Sequence, residues 1–246
     1  MALIIDGEPI PCEAHVVDWR AHGKKFTPRM EHIGKRRGRE PKLLVAHWTG
    51  GERPNPDIYK TLRTRGYGVE FSMDYYGHIW QYADPFEVYT AHVAGMNLYS
   101  FGIEIQSQGL YPHPLWSKST QARMSKKYPR GRYREEVGNK EYSMVGFTSE
   151  QIEAFLQFAD ALAGADVIPK KIPLRKEPMI LHTADGDVKC GLLSRDRVPA
   201  AKRKRLTGVC GHFHLSRNKI DPGPQILEEL IDHWELEPRD SSLRGL

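Results

Sequence analysis

The feature that most constrains this chain is where its short apolar runs stop. Residues 42–47 (KLLVAH) read as a buried strand that ends on His47, beside the turn-forming Thr49-Gly50-Gly51. Residues 100–106 (SFGIEIQ) alternate, with Phe101, Ile103 and Ile105 facing one way and Gly102 and Glu104 the other. Residues 206–215 (LTGVCGHFHL) read as another strand, and it carries His212. Runs of this length suit single strands and are far too short to span a bilayer. A polar side chain at the end of a buried strand projects from a rigid sheet, which is where a chemical site is held most precisely.

The intervening stretches complete an α/β pattern. Residues 68–74 (GVEFSMD) alternate with Val69, Phe71 and Met73 on one face, and Tyr75-Tyr76-Gly77 turns them into 78–82 (HIWQY), a hairpin. The best helix spans 149–163, with Ile152, Phe155, Leu156, Ala159 and Leu162 on one face and Thr148 and Gln151 at capping-box spacing. A shorter helix over 225–234 follows Pro222-Gly223-Pro224. Residues 1–40 are weakly patterned, and the last eight or so residues read as frayed.

Composition matters here mainly through charge. The chain has 246 residues and a formal net charge of +5. Eight basic and three acidic residues fall in 107–146, and eleven basic and five acidic ones in 165–206, so the remainder is acidic. Both stretches lack clean periodicity and carry Pro and Gly, which makes them surface insertions, read as solvated loops, with contact to an anionic envelope as the other reading. Nucleic-acid binding would rest on this charge alone. Three cysteines (Cys12, Cys190, Cys210) are widely spaced and form neither a disulfide framework nor a CxxC pattern. The start of the chain places acidic residues where a secretory signal needs a basic start, so synthesis in the cytoplasm is expected.

Two imidazoles and one carboxylate satisfy a catalytic zinc with a fourth position left for water, and a free glutamate nearby can take that water's proton. His47, His212 and Glu104 fit that scheme, and 219–223 (KIDPG) adds a cation and an anion two residues apart. Spacing leaves His214 open as a rival to His212, because strict alternation puts both on one strand face. The run 182–187 (HTADGD) is read as a turn rather than a metal site. Cys210 is read as a packed strand residue, and Trp80, Tyr75 and Tyr76 as core and turn residues.

In order and in local spelling, these pieces resemble the N-acetylmuramoyl-L-alanine amidase family, which includes phage lysozyme-type amidases and peptidoglycan recognition proteins. LLVAHWTGG resembles its first metal-ligand strand. GVEFSMDYYGHIWQY resembles its hairpin, AHVAGMNLYSFGIEI its glutamate strand and FTSEQIEAFLQFADALA its following helix. GVCGHFHLSRNKIDPGP resembles its second ligand strand and closing motif, the most specific of the set. The resemblance implies a mixed central sheet with helices on both faces and a zinc cleft along one edge. It implies His47, His212 and Asp221 as zinc ligands, Glu104 as the catalytic glutamate and Lys219 as the stabilising cation. It favours His212 over His214. It places His92, Thr49 and Asn97 along the substrate cleft. The implied activity is hydrolysis of the amide between N-acetylmuramic acid and L-alanine in peptidoglycan or muropeptides, by a monomeric lysin of phage or prophage type. Such a lysin would reach the wall after lysis or by another export route. The competing role is a peptidoglycan-binding module that does not cut, which usually lacks one of these ligands. The family has His or Tyr in the hairpin where this chain has Val69-Glu70. The expected organisation is an extension over 1–40, an amidase domain over 41–236 with the two basic insertions, and a tail over 237–246.

Overall fold

The computed structural model describes residues 1–20, 34–51, 57–112, 117–127, 132–137, 140–182 and 188–244. Fourteen strands and five α-helices occur in them. The first half contributes β1 (Ala2–Ile5), β2 (Glu8–Pro11), β3 (Val16–Asp18), β4 (Gly34–Lys35), β5 (Leu43–Trp48), α1 (Asp57–Thr64), β6 (Phe71–Met73), β7 (Ile79–Gln81), β8 (Val88–Tyr89) and β9 (Phe101–Ile105). The second half contributes α2 (Lys118–Lys127), β10 (Arg132–Glu136), β11 (Glu141–Val145), α3 (Ser149–Gly164), β12 (Leu174–His182), β13 (Val188–Leu193), α4 (Ala200–Arg203), β14 (Gly208–Gly211) and α5 (Gln225–His233).

A six-stranded mixed sheet organises the molecule, in the order β14-β5-β9-β6-β7-β3. β14, β5, β9 and β6 run parallel to one another; β7 returns antiparallel to β6, and β3 lies parallel to β7 at the edge. Alternation divides its side chains cleanly. Leu44, Ala46, Phe71, Phe101, Ile103 and Ile105 face α3 and α5 in the main core, where Phe158 of α3 meets Phe71 at a ring distance of 4.9 Å. Burying each such ring contributes about 1.5–3 kcal/mol. The capping box expected at Thr148 and Gln151 closes the start of α3. On the opposite face Leu43, Val45 and Cys210 pack against Val93, Met96 and Leu206. Nearer the hairpin, α1 covers that same side through Tyr59, which packs on Tyr82.

Several expectations change with the tertiary structure. The weakly patterned first forty residues carry a hairpin and the edge strand β3, whose pairing to β7 supplies the regularity its short sequence lacks. The charged insertions are not bare loops: β10 pairs with β11 and β12 with β13, and both hairpins pack on the core through residues such as Met144 and Leu193. The tail is anchored, since Ser241 exchanges hydrogen bonds with the backbone of Leu174 and both Ser241 and Ser242 are buried. Tyr75 belongs to the core while Tyr76 is exposed. Residues 183–187 of the HTADGD run, and Arg130, lie outside the described residues. No helix among the described residues is long and apolar enough to cross a membrane.

Candidate metal centre

Three neighbouring parallel strands end together, and the site is built on those ends. His47 sits near the end of β5 with Glu104 of β9 directly opposite it in register. β14 pairs Gly211 with Ala46, so His212 emerges next to His47. The cleft therefore lies at the carboxyl ends of strands, the usual ligand position in such sheets, rather than along an edge. β14 stops at Gly211, and residues His212–His214 form one 3-10 turn. That turn breaks the alternation that sequence would apply to both histidines. His212 turns into the cleft, while the Gly211 N–H donates to His214 Nδ1 and His214 Nε2 donates to the Ser194 carbonyl. Both nitrogens of His214 are thus occupied and it is no ligand. Burial pulls its pKa down to about 4, consistent with a neutral ring.

The loop after the turn brings Asp221 back, held by a hydrogen bond from the Phe213 N–H to the Asp221 carbonyl. His47 Nδ1, His212 Nδ1 and Asp221 Oδ2 then lie 3.0–3.1 Å from one another. Tetrahedral zinc with ligand bonds of ~2.0–2.1 Å separates its ligands by about 3.3 Å, so the triangle is close to the right size. Electrostatics agree. Burial lowers His47 to about 4, so the imidazole is neutral and able to ligate. Burial would raise Asp221, but the close approach of the His212 and His47 imidazoles outweighs it and holds the carboxyl well below the usual range.

Hydrogen-bond direction gives an independent test of fit. Ser100 Oγ donates to the Met96 carbonyl, so it accepts from His92 Nε2 at 3.1 Å. His92 Nδ1 is then an acceptor, and the His47 Nε2–H donates to it at 3.2 Å. His47 Nδ1 is therefore left without a proton, its lone pair pointing at the other two donors. His47 Nδ1 and Asp221 Oδ2, both bearing lone pairs, thus lie 3.1 Å apart, an approach that a cation between them would relieve. Gly102 makes the arrangement sterically possible, because a Cβ there would come within 2.9 Å of His92 Nδ1.

Glu104 completes the site. It shares a sheet face with His47, and its Oε2 is sealed from solvent with no hydrogen-bond partner among the described residues. Burial first, and then the nearby Asp221 charge, push its pKa well above the carboxylate range, while Lys219 pulls the other way. Lys219 is exposed, and its charge also opposes protonation of His47. Of the three residues expected along the cleft, Asn97 accepts from the His92 and Val93 N–H groups and so shapes the loop beneath His92. Thr49 Oγ1 contacts the Gly51 and Ser107 carbonyls and the Ser107 N–H, clasping two loops. His92 lies behind His47 with both nitrogens engaged.

Sequence reasoning missed two parts of this centre. Ser100 was legible only as the start of a strand. Arg36 sits in the weakly patterned first forty residues, yet its side chain is fully buried. It pairs with buried Glu70 at 3.4 Å and donates to the carbonyls of Val88, Asn97 and Ser100. The Val69-Glu70 departure from the family pattern thus has a structural explanation. Glu70 also accepts from the Thr90 and Gly102 N–H groups and fastens the His92 loop to β9.

The solved structure of the N-acetylmuramoyl-L-alanine amidase LysC from Clostridium intestinale is similar at 15% identity and a TM-score of 0.50, covering 90% of this chain and 98% of that one. The endolysine amidase LysCS from the same organism gives 15% identity and a TM-score of 0.49 over 90% and 96% of the two chains. Drosophila PGRP-LB gives 15% and 0.46 over 95% and 99%. At such identity the first of these speaks to the fold alone. No curated protein sequence matches the chain. The family model described as N-acetylmuramoyl-L-alanine amidase matches residues 37–224, from Arg37 to just beyond Asp221. The chain belongs to the N-acetylmuramoyl-L-alanine amidase family.

Proposed function

We propose that this chain is a zinc-dependent peptidoglycan amidase that cleaves the bond between the lactyl group of N-acetylmuramic acid and L-alanine. The observation that carries the reading is the convergence of His47 Nδ1, His212 Nδ1 and Asp221 Oδ2 beside the partnerless Glu104 Oε2. These three residues would hold the ion, and zinc so held supplies a Lewis acid that polarises a carbonyl and acidifies water. Glu104 takes the proton from the attacking water and hands it to the leaving amine; burial holds its pKa above the ordinary carboxylate range, which strengthens it as a base. The Lys219 ammonium steadies the negative charge that develops on the scissile carbonyl oxygen.

The test is mass spectrometry of products from sacculi and from soluble muropeptides, with and without a chelator. Free peptide stems released only in the absence of chelator are expected. Glu104→Ala should keep its metal and lose turnover by roughly 10²-fold or more. Near-normal turnover in that variant, or tight binding of substrate by the wild type with no stems released, would overturn the reading.

A further inference from the structure

Three stretches far apart in the chain meet at the end of the sheet opposite the metal centre. Residues 35–39 (KRRGR) lead into β5, Tyr99 leads into β9, and Lys204 and Arg205 lead into β14. Each therefore lies at the amino end of one of the three parallel strands whose carboxyl ends carry the metal centre and Glu104. β5 has six residues, so the two ends are on the order of 20 Å apart. The first stretch is a fixed turn. The Arg39 N–H donates to the Arg36 carbonyl at 3.3 Å, Arg37 and Gly38 take φ of 51° and 76°, and the bonds of the buried Arg36 side chain to Asn97 and Ser100 hold the turn in place. The Arg39 guanidinium carbon lies 5.3 Å from the centre of the Tyr99 ring, and Lys204 Nζ lies 5.1 Å from the same centre. A hydrogen bond from Arg39, and then the Lys204 charge, hold the Tyr99 phenol below its ordinary pKa. The ring itself packs on the apolar cluster that includes Val93 and Met96. Arg37, Arg39, Lys204 and Arg205 are exposed and make no ion pair with any of the described residues. Glu40, the one acidic residue in 35–42, is taken by Lys42 at 3.3 Å.

We infer that this face docks the protein on an anionic phospholipid surface, with Arg37, Arg39, Lys204 and Arg205 meeting lipid phosphates and Tyr99 lying at headgroup level. Cations gathered without counter-charges repel one another, and a partner of opposite sign relieves that repulsion. Basic residues near such a surface each add to the attraction, and a tyrosine presents an apolar ring and a polar tip to its boundary. Direction chooses a bilayer over an anionic polymer within the wall. The patch and the cleft lie at opposite ends of the same strands, so a molecule resting on a membrane through the patch turns its cleft toward the layer above that membrane. This choice rests on the amidase reading, which places the substrate in that layer.

The test is co-sedimentation of the zinc-loaded full chain with vesicles of phosphatidylglycerol and phosphatidylcholine in equal parts, and with vesicles of phosphatidylcholine alone. The wild type should partition onto the anionic vesicles and not onto the neutral ones, and added salt should weaken the binding. Arg37→Gln/Arg39→Gln/Lys204→Gln, all exposed positions, should lower that partition roughly 10²-fold while kcat/KM on a soluble muropeptide stays the same. Lys118→Gln/Arg123→Gln/Lys126→Gln in α2 removes the same charge elsewhere and should keep most of the binding. Equal partition onto both kinds of vesicle, or equal losses in the two triple variants, overturns the docking face. Tighter binding of the wild type to soluble polyphosphate than to the anionic vesicles overturns the bilayer as its partner. Failure of every one of these proteins to cleave the muropeptide overturns the amidase reading instead, and the vesicle partition still decides the docking face.

Discussion

Ser100 shows how one small hydroxyl sets the state of a side chain two contacts away. Its single proton goes to the Met96 carbonyl, which forces it to accept from His92, which in turn forces His92 to accept from His47. The result is an unprotonated His47 Nδ1 at the centre. In Ser100→Ala the His92 Nε2–H loses its acceptor, and the tautomer of His92 is no longer dictated. Metal affinity, measured by chelator competition, should fall roughly 10–100-fold while the circular dichroism of the protein stays the same. Unchanged affinity would remove Ser100 from the chain of orientation.

At the scale of elements, α3 and α5 are tied where both leave the core. Asp160 of α3 accepts from His233 Nε2 at 2.6 Å and from the indole N–H of Trp234 at 2.8 Å. Burial acts to raise the Asp160 pKa, but hydrogen bonds from His233 and Trp234 outweigh it, and the net displacement is downward. A carboxyl depressed in the folded state adds stability above its unfolded pKa of 3.8, and that stability is lost as pH falls through the lower folded value. Because the pair is partly exposed, its worth is screened to about 0.5–1 kcal/mol. Wild type should therefore exceed Asp160→Asn by that margin in urea unfolding at pH 6, with the gap closing below pH 3.8. A gap that persists at pH 3 would mean that the carboxylate charge is not what ties the helices.

At the scale of the molecule, Arg36 joins the N-terminal segment to the catalytic face. Its guanidinium spans Glu70, Asn97 and Ser100, and so fastens the whole 88–100 segment over the sheet. Burial raises Glu70, and Arg36 acts against that rise. Removing one member leaves the other charged and enclosed, so Arg36→Met should cost about 3–5 kcal/mol in denaturant unfolding. Arg36→Met/Glu70→Gln should recover part of that loss, with a coupling of about 1–3 kcal/mol across the double-mutant cycle. Strict additivity would show that the pair does not act as a unit. Arg36 lies one residue before the family match begins, and β3 pairs with β7, so described residues of the first forty take part in the packing around the site.

What the sequence by itself determined is whatever depends on local periodicity and on spelling. The central strands, the capped helix α3, and the positions of His47, Glu104, His212 and Asp221 follow from alternation, capping chemistry and motif order, all of which act between near neighbours in the chain. What only the tertiary structure decided depends on contacts between residues far apart. His214 is excluded because a 3-10 turn turns it toward Ser194, which periodicity cannot anticipate. Arg36 is buried because Glu70 and three carbonyls await it, and nothing within a charged run announces such partners. The same holds for the basic stretches. Their net charge is countable from the chain, but its direction was set by folding, because only the packed fold brings Lys140 of the first stretch and Arg197 of the second to one cavity wall beside Arg217 and Lys219.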